Sequence, residues 1–426
     1  MRLLSTIVFV TMIAVAVSAQ PLEHVLVYVD NAVAGPGSGT YSDPFSTIAG
    51  AVAYVWPHDY IIVRPGIYYE AVNLPYFVFL RSEQGPGVTT IDATGQPGTH
   101  AVTIGTLGEV VGFTIIKQDG AGLYTSATTS EFGRVIKGNR FLDCPNGGVE
   151  LDGAMHPAFA ENLVVDCGPF GVRLRNGASP FFTGGTVTGC AIGVDRIPGP
   201  APDPISFIAN SIFWGNTTDV AGITPPDLIS CNVGDPAFAG VNGSISADPL
   251  WKNAPARDFR LPANSPCVEV GDVYYNLNSS EFDNRGYGSW RKMDGDHDGV
   301  VIPDIGAFER GGLETTQVGA GAGSVVVVEI DTGPHTQWFL AYGSYALGPA
   351  IVLPTAGGTS PFLWIEQSTS TLMGSSTMNA TGRIALTVNV PAWAVGQHVD
   401  VQALGVDYSS GTPVFNFTNA ERVVVQ

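Results

Sequence analysis

Short segments in which hydrophobic and polar residues alternate fill the centre of the chain. Val149–Asp152 and Val172–Arg175 follow this period of two, and glycine, proline and asparagine separate such segments. The alternation predicts β-strands joined by turns, with one face of each strand buried. Cys144, Cys167 and Cys190 each follow a short apolar segment and recur at equal intervals. A fixed period of this kind indicates one structural unit that stacks on its neighbours.

A repeat of about 23 residues has room for one coil of three short strands. A helical repeat would need two amphipathic segments of about ten residues or more, and the spacing typical of leucine-rich repeats is absent from the sequence. Successive coils would lie at the strand spacing of about 4.8 Å. The sequence therefore predicts an all-β fold, a parallel β-helix in which the three cysteines form one buried column.

A helix is predicted for residues 44–55, just before the first strands of the β-helix. Phe45, Ile48, Val52 and Val55 fall on one face of this helix, and Pro44 stands in its first turn. An open end of a coil stack exposes unpaired strand edges. We therefore expect the helix to cap the N-terminal end of the β-helix.

Four regions are predicted along the chain. Residues 1–19 combine a basic residue, an apolar run and a small-residue ending, which is typical of a cleaved secretory signal peptide. Residues 20–312 form the predicted β-helix domain, residues 313–324 a linker rich in glycine and alanine, and residues 325–426 a small β-sandwich. No later run is apolar and long enough to span a bilayer, so we expect a secreted or cell-surface protein, and a monomer.

The charge balance argues against a nucleic-acid partner. Loss of Arg2 with the signal peptide leaves 18 basic residues against 38 acidic ones, a net charge of −20. So acidic a protein lacks the basic surface that neutralises phosphates. The acidity suits extracellular solubility and the binding of cations, and a hydrophobic content of 45% argues against disorder.

Segments near both ends of the predicted β-helix resemble secreted proteins of the pectate-lyase-like superfamily, in particular a bacterial surface group. The segments are residues 28–30, 43–48, 63–68, 210–216, 248–250, 259–267 and 304–309. The resemblance covers residues 25–310 and implies a right-handed parallel β-helix. This superfamily includes lyases, hydrolases, adhesins and inert stalks, so the resemblance implies a fold and not one activity.

A ladder of charged residues is the first candidate site. If Val149 and Val172 point inward, the repeat places Glu150 beside Arg173 and Asp152 beside Arg175 on the outer face, with Asp195 on the next coil. One interpretation is a groove that grips a polysaccharide, in which Arg173 or Arg175 is the candidate base. The resemblance supports this interpretation, since lyases of the superfamily use a basic residue to take the proton beside a uronate carboxylate that a cation acidifies. The other interpretation is a set of salt bridges between neighbouring strands.

A calcium site is predicted where three aspartates alternate along the chain. Asp294, Asp296 and Asp298 precede a glycine, and the backbone carbonyl of Val300 and the side chain of Asp304 follow at positions suited to a calcium loop. Ile305 occupies the position of the usual last acidic ligand, so Asp304 or Glu309 would have to replace it. The alternative is a solvated acidic turn, and a bound calcium would stabilise the structure without taking part in catalysis.

Two further patterns concern cysteine and carboxylate pairs. Cys231 and Cys267 lie outside the regular repeat, and an exported chain favours a disulfide between them. Asp143 and Asp166 share a column, as a glycoside hydrolase pair or as turn residues. The sequence contains no known catalytic cluster of another kind.

The sequence therefore favours an exported bacterial β-helix protein that acts as a glycan-binding or structural scaffold without catalysis. The expected partner is a polysaccharide or a cell-surface glycan, and calcium is the expected structural ion. A calcium-dependent uronate lyase is the alternative, followed by a glycoside hydrolase.

Overall fold

The computed structural model is a parallel β-helix followed by antiparallel strands, which confirms the predicted fold class. It describes residues 25–127, 131–199, 207–276, 284 and 302–310, together with Ser324 and the strands between residues 313 and 424 whose bounds are given below. Residues 1–24, with the predicted signal peptide, lie outside this set. Within the described residues, the helices are too short or too polar to cross a membrane.

Three parallel sheets form the walls of the β-helix, and the chain visits them in the same order on each coil. Sheet 1 contains nine strands: Leu26–Val29, Tyr60–Val63, Phe79–Ser82, Glu109–Val111, Glu131–Lys137, Met155–Ala160, Phe181–Thr183, Phe207–Ala209 and Leu228–Ile229. Sheet 2 contains eight: Gly66–Tyr68, Thr89–Asp92, Thr114–Ile116, Arg140–Leu142, Leu163–Val165, Thr186–Thr188, Ile212–Phe213 and Asn232–Val233. Sheet 3 contains seven: Val72–Leu74, His100–Ile104, Ala121–Ser126, Val149–Asp152, Val172–Arg175, Ile192–Ile197 and Thr218–Ala221.

The core fills the inside of the coils as one continuous hydrophobic cluster. Val149 and Leu151 are buried, while the alternate residues Glu150 and Asp152 are partly exposed, as the alternation predicts. The predicted cysteine column is present, because Cys144, Cys167 and Cys190 belong to this one cluster. The repeat in the sequence is thus the repeat of the coil.

A column of glycines sets how closely the coils approach one another. Gly148, Gly171 and Gly193 recur with the coil, and a Cβ atom on Gly148 would lie 2.4 Å from the carbonyl oxygen of Gly171. A Cβ on Gly171 would lie 2.7 Å from the carbonyl oxygen of Gly193. Because these contacts involve backbone atoms, only glycine fits in this column.

The N-terminal helix is shorter than predicted and spans Ile48–Tyr54. Thr47 is its N-cap, and the Thr47 hydroxyl accepts a hydrogen bond from Gly50 N over 3.0 Å. The carboxylate of Glu70 accepts from Ile48 N (2.9 Å) and Ala49 N (2.8 Å), which satisfies two further amides of the first turn. The predicted start at Pro44 is wrong because the capping threonine fixes the beginning of the helix at Ile48. Ile48 and Ala51 are buried in the end of the core, which agrees with a capping role.

The other short helices are Val273–Asn276 and the 3-10 turns Pro225–Asp227, Pro236–Phe238 and Ala254–Ala256.

The segment that follows the last coil returns along the outer face of sheet 2. Phe259 and Phe308 pack on Leu163 and Val165 of sheet 2. A second apolar cluster packs Leu261, Cys267 and Ile305 against Ile212 of the same sheet. This covering segment, which includes the described residues 251–267 and 302–310, buries the outer face of sheet 2 around Leu163, Val165 and Ile212 and leaves the first strand of that sheet open, with Ile67 49% exposed.

The C-terminal strands are antiparallel, unlike those of the β-helix. Their sheets are Leu313–Val318, Val325–Asp331 and Arg383–Asn389; Thr371–Thr377, Gln337–Gly343, His398–Asp407 and Val414–Val424; and the pair Ile351–Val352 and Phe362–Leu363. The predicted linker of residues 313–324 is corrected in part, since Leu313–Val318 pairs with Val325–Asp331 through a continuous register. Its β-branched residues favour a strand, whereas the prediction rested on the glycine-rich residues 319–323, which lie outside the described residues. A face-to-face sandwich of these sheets stays a prediction.

The predicted disulfide is not present, because Cys231 and Cys267 are both free and buried. Cys231 belongs to the core inside the coil, whereas Cys267 belongs to the apolar cluster outside sheet 2. Asn232, the next residue along the strand, donates a hydrogen bond to Cys267 Sγ over 3.0 Å. Consecutive strand residues point to opposite faces, so the sheet lies between the two thiols.

All five thiols should resist alkylation in the folded protein. Burial raises the pKa of Cys190, Cys231 and Cys267 to about 12, so few thiolates exist at pH 8. Iodoacetamide followed by mass spectrometry should detect no labelled cysteine in the native protein and five in the protein unfolded without reductant; three labelled cysteines would show that the disulfide forms after all.

The buried thiols should also make stability depend on pH. The thiols of the unfolded chain ionise near pH 9, whereas those of the folded protein stay protonated to a higher pH, so their contribution to stability is present below pH 9 and should be lost between about pH 9 and 12.

Candidate functional site

The outer face of sheet 3 brings together the charged residues that the repeat singles out. The register places Glu150 opposite Arg173, Asp152 opposite Arg175, and Arg173 opposite Asp195. The same face continues to Tyr124, which lies opposite Glu150 on the preceding coil. We call this set of residues the sheet-3 ladder.

Both arginines of the sheet-3 ladder are held in ion pairs. Arg173 Nε donates to Asp195 Oδ2 over 2.8 Å, and Arg175 Nη1 donates to Glu150 Oε1 over 2.6 Å. The second pair is diagonal, because Arg175 reaches past its direct neighbour Asp152 to Glu150 on the same strand. The hydrogen bond and charge of Glu150 raise the pKa of Arg175 further above its ordinary value. The guanidinium of Arg175 is therefore not disposed to lose a proton and act as a base.

Aromatic and amide groups surround these pairs. The guanidinium of Arg173 lies 3.8 Å from the ring centroid of Phe170, a cation–π contact. Asp152 accepts hydrogen bonds from Asn176 Nδ2 (2.6 Å) and from the Tyr124 hydroxyl (3.4 Å). The face thus presents donors, acceptors and ring surface in fixed positions.

His100 extends the ladder by one more coil. Its imidazole stacks on the ring of Tyr124 with a centroid distance of 5.0 Å and an interplanar angle of 27°. Burial lowers the pKa of His100, against the opposing effect of Glu150, so the ring tends towards the neutral form. No sequence pattern predicts a role for His100, Tyr124, Phe170 or Asn176 in this site. The chain between Tyr124 and Glu150 is longer than one regular repeat, so no periodic pattern marks Tyr124.

The hydrolase interpretation of Asp143 and Asp166 is not supported by the geometry. Both residues have positive φ, 55° and 54°, at the corner that follows sheet 2. Arg257 of the covering segment binds Asp143 through both carboxylate oxygens, at 2.9 and 2.6 Å, and Asp166 at 2.9 Å. The guanidinium holds the pKa of Asp143 below its usual range, so this carboxyl carries no proton to donate at neutral pH. The pair therefore anchors the covering segment.

The predicted calcium loop is described only at its end. Asp294, Asp296, Asp298 and Val300 lie outside the described residues. Asp304 is buried, and its carboxylate accepts hydrogen bonds from Glu269 N (2.8 Å) and Arg310 N. Glu309 in turn accepts from Asp304 N over 3.0 Å. These bonds close a turn at the end of the loop. The described residues contain no cluster of three metal-ligating side chains, and the three alternating aspartates lie outside them, so calcium stays a prediction.

No family model and no curated protein matches the chain. Three solved structures are similar at low identity. The pectin methylesterase PemA from Erwinia chrysanthemi matches at 13% identity and a TM-score of 0.23, over 40% of this chain and 66% of that one. A pectin methylesterase in complex with hexasaccharide VII matches at 15% identity and a TM-score of 0.23, over 41% of this chain and 67% of that one. The pectate lyase Pel9A matches at 15% identity and a TM-score of 0.30, over 67% of this chain and 96% of that one.

The chain spans about two thirds of the length of the two methylesterases. At these scores the activities of the three enzymes carry no information on this chain. The fold itself rests on the pairing of its own strands in three parallel sheets. The chain therefore has the parallel β-helix fold, which is the fold that the resemblance to the pectate-lyase-like superfamily implies.

Proposed function

We propose that this protein is an exported, non-catalytic β-helix scaffold that binds a polysaccharide through the sheet-3 ladder. The observation that carries the proposal is the pairing of Arg173 with Asp195 and of Arg175 with Glu150. A face in which every charge has a fixed partner suits the binding of sugar hydroxyls, since its donors and acceptors are already positioned. It does not suit proton abstraction.

A lyase would need a neutral base beside an acidified carbon. Arg173 and Arg175 are both held in ion pairs, and the pair with Glu150 stabilises the charged form of Arg175. His100, whose ring tends towards the neutral form, stacks on Tyr124 and lies on a strand three positions away from that of Arg173, so no arginine of the ladder stands beside it to bind a uronate carboxylate. A lyase would also need to attract a uronate, whereas three carboxylates and two guanidiniums leave the ladder with a net negative charge. Binding without turnover is the function that this arrangement supports best.

The flat, aromatic part of the ladder supports contact with sugar rings. The partly exposed rings of Tyr124 and His100 stack on each other at one end of the ladder and supply this surface, whereas Phe170 is buried and supports the guanidinium of Arg173 from below. Hydrogen bonds fix the edges of a sugar, and ring surface packs against its apolar face. A polysaccharide that runs along the stacked coils would meet these groups one after another.

The test combines binding and turnover on a panel of acidic and uncharged polysaccharides, with and without calcium. We expect retention in affinity electrophoresis, no absorbance near 235 nm from unsaturated uronates, and no release of reducing sugars. Replacing both arginines (Arg173→Gln, Arg175→Gln) should weaken binding roughly tenfold, since two charge-assisted hydrogen-bonding groups are lost.

Arg64→Gln is the matched control, because it breaks an ion pair of 3.2 Å with Asp30 at the first coil, away from sheet 3. This variant should bind as the unmodified protein does. An increase in absorbance near 235 nm that the double variant abolishes would instead establish a lyase. A polysaccharide that the double variant retains as strongly as the unmodified protein does is bound by another surface, and the proposal fails if this holds for every polysaccharide of the panel that is retained.

A further inference from the structure

A second ladder runs along the outer face of sheet 1 and is rich in aromatic residues. The strand registers join eight outward residues, one on each of eight successive strands of sheet 1, and we call this set the sheet-1 ladder. Its members, in order, are Leu26, Tyr60, Phe79, Glu109, Val135, Ala158, Phe181 and Phe207. No residue of this ladder belongs to the sheet-3 ladder, and the two lie on different walls of the β-helix.

Much of the apolar surface of the sheet-1 ladder is open to solvent. Leu26, Phe181 and Phe207 are 50%, 50% and 46% exposed. The rings of Phe181 and Phe207 are parallel within 3° at a centroid distance of 5.9 Å, and those of Tyr60 and Phe79 are 4.6 Å apart. Exposed rings aligned along one wall cost solubility and mark a surface that meets a partner.

Further aromatic residues widen the row at two places. Trp56 and Tyr76, which are 77% and 53% exposed, flank the start of the ladder, where Phe77 packs against Phe79 at 5.5 Å. Near its middle, Phe132 is 61% exposed and stacks on His156 at 4.4 Å. These rings belong to the same wall of the β-helix as the ladder or to the loops beside it.

Glu109 is the one charged member of the ladder, and Arg81 on the same strands' outer face neutralises it. Glu109 is nearly buried, and its carboxylate pairs with the guanidinium of Arg81, with 3.1 Å between Arg81 Nη2 and Glu109 Oε2. The same guanidinium lies 4.9 Å from the ring centroid of Tyr60. Lys137 shares the outward row of Arg81 and adds one positive charge to the face. One lysine beside a neutralised pair is far from the basic patch that a nucleic acid or an anionic membrane needs, so an uncharged partner suits this face better.

The shape of the ladder selects a narrow, linear partner. Eight strands at a spacing of about 4.8 Å give a row of about 34 Å. Even at a width of roughly 10 Å, the row covers on the order of 340 Å², less than half of the roughly 800 Å² that each partner of a stable protein interface buries. The row by itself is thus smaller than a stable interface with a second copy of this chain needs, whereas a polymer that lies along the row contacts it over its whole length.

We infer that the sheet-1 ladder binds an uncharged, extended polysaccharide, whose sugar rings pack against the exposed aromatic residues. The apolar C–H face of a pyranose is attracted to the electron-rich face of an aromatic ring. Sugar hydroxyls at the edges of the chain meet Tyr60, His156 and the Arg81–Glu109 pair. This site lies on a different sheet from the sheet-3 ladder, so each of the two sites can be tested without the other.

The experiment measures retention on insoluble cellulose and on soluble uncharged xyloglucan and galactomannan, with polygalacturonate as the acidic comparison. The protein should bind at least one of the uncharged glycans, and Phe181→Ser with Phe207→Ser should weaken this binding roughly tenfold or more. Both side chains are about half exposed, so the fold should persist, which circular dichroism and thermal melting will show. If the double variant melts early, Phe207→Ser alone gives the same test.

Two control variants make the result specific. Tyr69→Ser removes a 64% exposed ring that lies beyond a strand of sheet 2, and it should leave binding unchanged. Arg173→Gln with Arg175→Gln should also leave the binding of uncharged glycans to sheet 1 intact. The inference is overturned if no uncharged glycan is retained, or if the Phe181 and Phe207 variants bind as well as the unmodified protein.

A homotypic contact is the remaining outcome that overturns the inference. Sedimentation velocity of the unmodified protein should show a monomer. A dimer that Phe181→Ser and Phe207→Ser dissociate would assign the ladder to a second copy of the chain. Loss of all glycan binding in the sheet-3 variant alone would leave the proposed function standing and remove the sheet-1 site.

Discussion

Replacing Gly148 with alanine is expected to lower the free energy of unfolding of the β-helix by at least about 3 kcal/mol. The new Cβ would lie 2.4 Å from Gly171 O and 2.8 Å from Val164 Cγ1. The Gly171 carbonyl cannot move away without loss, because it accepts a hydrogen bond of 2.8 Å from Val149 N. The added methyl group therefore forces two coils apart or breaks the ladder that joins them. Urea unfolding followed by tryptophan fluorescence measures the change.

Gly87→Ala is the matched control for this substitution. Gly87 is exposed, and a Cβ at this position would have no atom within 4 Å. The control should stay within about 0.5 kcal/mol of the unmodified protein, or gain stability, since alanine reduces the entropy of the unfolded chain. Equal unfolding midpoints for the two variants would contradict the close coil contact that the structure shows.

Substitution of Asn162 by leucine should cost about 3 kcal/mol or more, through groups that it leaves without partners. Asn162 is fully buried at the turn between sheets 1 and 2. Its Oδ1 accepts from the backbone N of Asn139 (3.0 Å) and from Asn139 Nδ2 (3.2 Å), while its Nδ2 donates to Ile136 O over 2.8 Å. Leucine has a similar size but none of these bonds, so a buried amide and a buried carbonyl lose a partner. Chemical denaturation again gives the measurement.

Two companion variants separate the hydrogen bonds from the packing. Asn73→Ala changes an exposed asparagine on a strand of sheet 3 and should have little effect. Asn162→Asp keeps the shape and the acceptor but places a carboxylate in the core. Burial raises the pKa of such a group above its unfolded value of about 3.9, so this variant should be least destabilised below about pH 4 and should lose stability as the pH rises. A leucine variant as stable as the unmodified protein would show that the buried amide contributes nothing.

The sequence predicts most of the β-helix because a single repeat contains both the length of a coil and the pattern of buried positions. The spacing of Cys144, Cys167 and Cys190 sets the length of a coil, and the alternation in Val149–Asp152 sets which side chains face inward. Both signals are local, so they can be read without knowing the fold. The pairing of Glu150 with Arg173 across neighbouring strands follows from them directly.

The partners of individual side chains could not be predicted in this way. Arg175 bonds to Glu150 and not to Asp152, because the long arginine side chain reaches diagonally to the adjacent strand. The disulfide prediction failed for a related reason, since Cys231 and Asn232 are neighbours in sequence but lie on opposite faces of a sheet. Arg257 meets Asp143 over a separation of 114 residues, and no local pattern predicts this contact.

The sequence by itself determined the coil, its three-stranded unit and the inward and outward positions of the central strands, because in a stacked repeat the buried residues recur at the length of one coil. Only the tertiary structure decided which outward residues became neighbours in the sheet-1 ladder. The chain between Leu26 and Tyr60 is much longer than the chain between Tyr60 and Phe79, yet each pair lies side by side on adjacent strands. Loops of unequal length hide this ladder from any periodic analysis, whereas the hydrogen bonds between coils align it in space.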